Sequence, residues 1–172
     1  MSLKEKVGYI IKWIVIFIVA ISMTIYGIAK PIQFSDFTNS TNLNVSEGHK
    51  IMWTFYSYSL TYPLIIGFFE VLGGVSLLIN KSRIFGCLLL TIILSNIIIQ
   101  DFIYGIVALK SAIIYQILVL IIFLFDIEKL KKIFSMLFSP TRHSKNIMLL
   151  IVAFVIALVI KYFETRILEN CS

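Results

Sequence analysis

The chain has 172 residues, of which 59% are hydrophobic and 14% are charged, and its mean hydropathy is +0.98. A soluble domain has about 45–50% apolar and about 25% charged residues, so this composition excludes an ordinary soluble protein. The net charge of +6 does not indicate nucleic-acid binding, because the basic residues are scattered at the ends of apolar segments. We therefore predict an all-α integral membrane protein that contacts the lipid bilayer and binds no nucleic acid.

Five apolar segments follow one another along the chain. Segments of this length must be helical in lipid, because the backbone has to satisfy its own hydrogen bonds there. The first follows three lysines and is interpreted as a retained signal-anchor, since no cleavage pattern follows it. We expect spans at about residues 13–30, 55–79, 84–108 and 111–127, followed by a fifth at 147–160.

These spans divide the chain into three parts: residues 1–127, a connector at 128–146 and residues 147–172. Residues 1–127 are expected to form an antiparallel four-helix transmembrane unit. Residues 147–172 are expected to hold the fifth span and a short outer tail. With the N-terminus inside and the C-terminus outside, ten of the 15 Lys and Arg residues lie on the inner side and five on the outer side. This bias predicts the N-inside, C-outside orientation. We expect the membrane to be a bacterial cytoplasmic (inner) membrane.

Two of the segments that connect the predicted spans are long. The outer loop at about residues 31–54 carries glycosylation patterns at Asn39 and Asn44, although a solvated Asn-rich loop is the simpler interpretation. Residues 128–146 have apolar residues at helical spacing with lysines between them. We predict a basic amphipathic helix on the cytoplasmic membrane surface that ends before Pro140, with a protein partner as the alternative.

Polar residues near the outer ends of the spans suggest a site. Lys30 lies about 27 Å along the first span and Asp101 about 26 Å along the third, counted from the inner ends. The two can therefore form an ion pair. Gln33 and Gln100 fall at the same level. We treat Lys30, Gln33, Gln100 and Asp101 as a hypothetical outer binding site.

Glu70 lies elsewhere, about 14 Å from the inner end of the second span and about 12 Å below Lys30 and Asp101. This depth predicts no direct contact between Glu70 and Lys30. Helical phase puts Glu70 in a seam of small residues between helices. The residues assigned to this intramembrane polar seam are Ser22, Tyr26, Glu70, Gly73, Gly74 and Asn96. Glu70 is either a protonated hydrogen-bonding group that holds helices together or a ligand or proton site.

Two motifs resemble a known family. YGIAKPIQF (26–34) is followed by FFEVLGGVSLLINKSRIFG (68–86), and this order is similar to that of DoxX and DoxX-like membrane proteins and the related MauE group. The matching positions are Gly27, Lys30, Phe34, Glu70, Gly73, Gly74, Leu77, Leu78, Arg83 and Gly86. The resemblance covers residues 12–127 and implies a four-helix antiparallel bundle.

The resemblance implies accessory subunits of quinone-linked oxidoreductases or of assembly systems. The residues themselves offer no dithiol, paired histidines or Gly-rich phosphate loop. We expect no catalytic residues, metal ligands or cofactor of the chain's own, although a quinone is compatible with the outer site. The first hypothesis is an accessory or assembly subunit with a protein partner or as a homo-oligomer. A quinone-linked membrane subunit is the second, and a small transporter or proton path through Glu70 is the third.

Overall fold

The computed structural model describes residues 2–35, 45–139 and 146–170. Within these ranges the chain is all-helical and contains no strand. The helices are α1 (Leu3–Ser35), α2 (Glu47–Ser57), α3 (Thr61–Leu78), α4 (Arg83–Tyr104), α5 (Leu109–Phe125), α6 (Ile127–Leu137) and α7 (Ile147–Asn170).

Four of these helices, α1, α3, α4 and α7, are long and apolar enough to cross a membrane. The pair α5 and α6 meets the same criterion jointly and is bent by 79°, which makes up to five spans in the described part of the chain. The predicted all-α integral membrane protein is therefore confirmed at this level. The orientation of the spans stays a prediction.

The chain forms two compact units, Met1–Phe134 and Ser135–Ser172. The second unit contains α7, whose first 18 residues are apolar enough for a span. The first unit contains α1 to α5 and most of α6. Its core is built from apolar side chains of α1, α3, α4 and α5 that are at most 3% exposed: Ile16, Val19, Ala20, Met23, Leu77, Cys87, Leu90, Leu94, Val119 and Ile122.

Glycines allow α1 and α3 to pack backbone against backbone. A Cβ atom on Gly27 would collide with the carbonyl oxygen of Gly67, and a Cβ on Gly67 would collide with the carbonyl of Gly27. Gly74 lies against the carbonyl of Ala20. Small residues permit such close approach between membrane helices. These contacts define an antiparallel register in which Gly27 faces Gly67.

The second predicted span, 55–79, is wrong at its N-terminal end. The structure ends α2 at Ser57 and begins α3 at Thr61, so the predicted segment contains a helix break. Pro63 lies in the first turn of α3, the one part of a helix where a missing N–H is tolerated. The third span likewise ends at Tyr104, because Gly105 adopts a left-handed conformation (φ 64°) that closes the helix.

Most of helix α2 lies inside the segment 31–54 that was predicted as an outer loop. Ser46 caps it by accepting a hydrogen bond from the backbone N–H of His49, at 3.2 Å. The glycosylation patterns begin at Asn39 and Asn44, and Pro140 follows the predicted amphipathic helix. All three positions lie outside the described residues.

Candidate functional site

A cavity of about 190 Å³ lies in the first unit, at the end where α1 finishes. The four residues of the predicted outer site all line it, together with residues of α2 and α3. The polar lining is Tyr26, Lys30, Gln33, Trp53, Tyr56, Glu70, Gln100, Asp101, Ser111 and Tyr115. The expectation that Glu70 stands apart from the outer site is therefore wrong.

Lys30 and Glu70 form a buried ion pair. Lys30 Nζ donates a hydrogen bond to Glu70 Oε1 at 2.8 Å, and the side chains are 11% and 2% exposed. The depths counted along each helix predict no direct contact between these residues, because they treat the inner ends of the two helices as level and include only the backbone rise.

The glycine register explains the contact. Lys30 and Glu70 each lie three residues beyond the facing pair Gly27 and Gly67, in opposite directions along the unit. Their Cα atoms therefore differ in height by about 9 Å. Helical side chains tilt toward the N-terminus of their own helix. Because α1 and α3 are antiparallel, these two side chains tilt toward each other and close the gap.

The ion pair between Lys30 and Asp101 that the sequence allowed does not form, because Lys30 bonds to Glu70 instead. Within the described residues no ion pair within 4.0 Å involves Asp101, although its side chain is buried. Its backbone carbonyl accepts the N–H of Ile106 at 2.8 Å, which fixes the end of α4 beside the cavity. One lysine and two carboxyl groups, those of Lys30, Glu70 and Asp101, therefore line the cavity.

Three residues of the cavity lining each hold a buried polar atom that has no hydrogen-bond partner among the described residues: Trp53 Nε1, Glu70 Oε2 and Asp101 Oδ2. Leaving such an atom unsatisfied costs about 1–3 kcal/mol, and more for charged groups. The indole N–H is a donor, and the two carboxyl oxygens accept when ionised. An occupant that supplies two donors and one acceptor would satisfy all three atoms.

Helix α2 forms the roof of the cavity, which the sequence analysis missed. Met52, Trp53 and Tyr56 are buried, and the Tyr56 ring stacks on Phe34 with centroids 4.5 Å apart. His49 stacks on Trp53 at 3.9 Å. The signal was present in the sequence as Ser46 followed by large residues at helical spacing. The segment was nevertheless predicted as a loop, because polar residues precede this helix.

Tyr56 also fixes the roof to α4. Its hydroxyl donates to Gln100 Oε1 at 2.6 Å. Burial raises the pKa of Tyr56 to about 12, so the hydroxyl remains a donor at neutral pH. The side-chain amide of Gln100 is thereby oriented beside Asp101.

We expect Tyr56→Phe to lower the free energy of unfolding by about 1 kcal/mol, because it removes one hydrogen bond and keeps the ring. Thermal unfolding in detergent measures the change. Tyr58→Phe is the matched control, since Tyr58 is 90% exposed. An equal effect of both substitutions would contradict the assigned hydrogen bond.

The predicted polar seam is only partly buried in the unit. Gly73 faces Leu90, and Gly74 faces α1. Ser22 is half-buried, and Tyr26 meets the Tyr115 ring at 5.7 Å.

Asn96 is exposed, so its assignment to the seam is wrong. The inward face of α4 carries Leu90, Leu94 and Asp101. Asn96 is two residues from Leu94, which turns it about 200° away from that face.

A second polar cluster lies at the opposite end of the unit. Asp126, at the bend between α5 and α6, accepts hydrogen bonds from Lys12 at 2.9 Å and from Arg83 at 3.1 Å. Arg83 also donates to the Leu77 carbonyl at 2.9 Å and lies over the Trp13 ring. Sequence analysis missed this cluster because it counted Asp126 as part of an apolar span.

The chain is 32% identical over 117 residues to YwoB of Bacillus subtilis (strain 168), described as an uncharacterised protein. The matched region is 67% of this chain and 76% of YwoB. No family model matches the chain, and no solved structure matches it.

Proposed function

We propose that this chain, which belongs to the same family as YwoB of Bacillus subtilis, is an accessory subunit of a membrane or cell-envelope complex that holds the polar head of a lipid-soluble molecule. The observation that carries the proposal is the cavity with three buried, unpartnered polar atoms beside an intramembrane ion pair. Ionisable residues inside a membrane are costly, and they concentrate at functional sites.

Size and chemistry favour a hydroquinone as the ligand. A cavity of 150 Å³ in another protein holds benzene, so about 190 Å³ accommodates one substituted aromatic ring. Each hydroxyl of a hydroquinone donates one hydrogen bond and also accepts. The two donors equal in number the two unpartnered carboxyl acceptors, Glu70 Oε2 and Asp101 Oδ2, and a hydroxyl oxygen is an acceptor of the kind that Trp53 Nε1 requires. The stacked rings of Phe34 and Tyr56 supply an aromatic wall.

The charge of the lining favours the reduced form of such a ligand. An oxidised quinone carries carbonyl oxygens that only accept, and it would leave both carboxyl oxygens unsatisfied. In this proposal the chain holds the quinol, and the electron-transfer centre belongs to the partner complex. The DoxX-like character of the four-helix unit, the N-inside orientation and the bacterial inner-membrane location are parts of the same proposal, supported by the motifs and by the Lys and Arg bias.

We expect a short-chain hydroquinone to bind the purified protein in nanodiscs more tightly than the matching quinone. Asp101→Asn and Glu70→Gln should each weaken hydroquinone binding about tenfold or more, because a hydrogen bond to a charged group contributes about 1.5–3 kcal/mol. Calorimetric titration measures both ligands. Glu47→Gln is the matched control, since Glu47 is exposed and does not line the cavity.

Equal affinity for quinone and hydroquinone would contradict the assigned hydrogen bonds. If neither quinone nor hydroquinone binds and cross-linking captures a defined partner protein, the proposed ligand is wrong and the proposed accessory role stands. A proton flux in liposomes that Glu70→Gln abolishes would instead favour the proton path.

A further inference from the structure

Helix α6 has two chemically distinct faces. Its apolar residues recur at helical spacing: Ile127, Leu130, Ile133, Phe134 and Leu137. Lys129, Lys131 and Lys132 occupy the other side, and all three are exposed. Ile133, Phe134 and Leu137 are 39%, 50% and 71% exposed. A helix with one apolar face and one basic face binds at a membrane–water boundary, with its apolar face toward the lipid.

The bend at Asp126 sets the direction of α6. The axis of α6 makes an angle of 79° with α5. If α5 crosses the bilayer, α6 therefore runs nearly parallel to the membrane surface. Asp126 stabilises this bend because it binds Lys12 of α1 and Arg83 of α4, and Lys129 of α6 approaches it at 4.0 Å. The carboxylate thus joins four helices at one point.

A second contact secures the first turn of α6. Lys129 Nζ donates to Asn80 Oδ1 at 2.7 Å and to the Asn80 carbonyl at 3.3 Å. Asn80 belongs to the turn between α3 and α4, and it also accepts from Arg83 at 3.1 Å. The start of α6 is therefore attached to the bundle by side chains from the turn and from α4.

The positive charge at this end of the unit indicates that α6 binds an anionic membrane surface. Basic residues surround the bend and the start of α1: Lys4, Lys6, Lys12, Lys81, Arg83, Lys129, Lys131 and Lys132. The acidic residues at the same end are Glu5, Asp126 and Glu128. Each exposed Lys near an anionic leaflet contributes favourably to binding. We infer that α6 is an interfacial helix that binds anionic lipid headgroups, and that the Asp126 cluster holds it in the plane of the membrane.

Nitroxide labels on the full chain in nanodiscs test this inference. Lys132→Cys and Phe134→Cys place labels about 200° apart on α6. Cys87 is 1% exposed and should not react, and Cys171→Ser removes the other thiol. With anionic lipid, the label at 134 should be reached by oxygen and protected from a water-soluble nickel reagent, and the label at 132 should show the reverse.

Charge variants measure the contribution of the lipid headgroups. The double variant Lys131→Gln with Lys132→Gln should lower the ratio of lipid-contacting to water-exposed label at position 134 in anionic nanodiscs. The expected decrease is about fivefold per lysine. In neutral nanodiscs the ratio should not change. Lys110→Gln, an exposed lysine at the other end of α5, should leave the ratio unchanged. Asp126→Asn should reduce the difference in oxygen and nickel access between the labels at positions 132 and 134 in every lipid.

Two results would overturn the inference. Equal nickel access at both positions would show that α6 lies in water. Protection of position 134 from both reagents, in neutral and anionic lipid alike, would show that protein covers the apolar face.

Discussion

Lys30→Met is expected to lower the free energy of unfolding by roughly 3–5 kcal/mol, because removing one partner of a buried ion pair leaves the other charge uncompensated. Glu70 and Asp101 are each 2% exposed and line the same cavity. Without Lys30, two carboxyl groups remain there with no cation bonded to either. The loss is therefore expected to be large for a single substitution of a buried residue.

Glu70→Gln should cost less than Lys30→Met, since Lys30 still has Asp101 nearby and the amide can accept a hydrogen bond from Lys30. The double variant Lys30→Met with Glu70→Met should recover much of the lost stability, because apolar residues often replace a buried pair without net cost. Its hydroquinone affinity should nevertheless stay low. The double variant thereby separates the structural role of the pair from its binding role.

Thermal and chemical unfolding of the purified variants in one detergent measure these differences. Lys110→Met is the matched control, because Lys110 is exposed at the same end of the unit. A cost below about 1 kcal/mol for Lys30→Met, typical of an exposed ion pair, would contradict the buried pair.

Gly27→Ala is the second substitution with a large expected effect. The added Cβ would meet the carbonyl oxygen of Gly67, which is backbone and cannot rotate away. The helices α1 and α3 must then move apart, and overpacking of this kind costs about 1–3 kcal/mol or more. The movement would also separate Lys30 from Glu70, so both stability and hydroquinone binding should fall.

Gly8→Ala is the control for helix propensity, since Gly8 lies in α1 with open space around it. That substitution should stabilise the helix slightly. Gly27→Ala combined with Gly67→Ala should cost less than the sum of the single effects, because both act on one contact. Size-exclusion profiles and melting temperatures give the readout. A Gly27→Ala variant as stable as the parent chain would refute the backbone contact.

Several features could be predicted from the sequence because they depend on local composition. Long apolar segments cannot satisfy their backbone in lipid except as helices, so the membrane class and the approximate spans follow directly. Helical phase correctly grouped Glu70, Gly73 and Gly74 on a buried face of α3. The amphipathic spacing likewise predicts a two-faced helix from residue 128 that ends before Pro140, and α6 (Ile127–Leu137) occupies most of that segment.

Other features depended on the tertiary structure. The pairing of Lys30 with Glu70 required the axial register of α1 against α3, and two glycine carbonyls set that register. Spacing along one helix contains no information about the height of its neighbour. The opposite tilt of side chains on antiparallel helices then brought together two residues that the backbone rise alone had separated.

The sequence by itself determined that this is a helical membrane protein with a carboxylate and a lysine in its spans, because hydrophobicity and period are local properties. Only the tertiary structure decided which residues meet. It brought α2 over the cavity, joined Asp126 to Lys12 and Arg83, and turned Asn96 outward. The physical reason is that these contacts depend on helix register, helix rotation and a bend between helices, which arise only when the helices pack against one another.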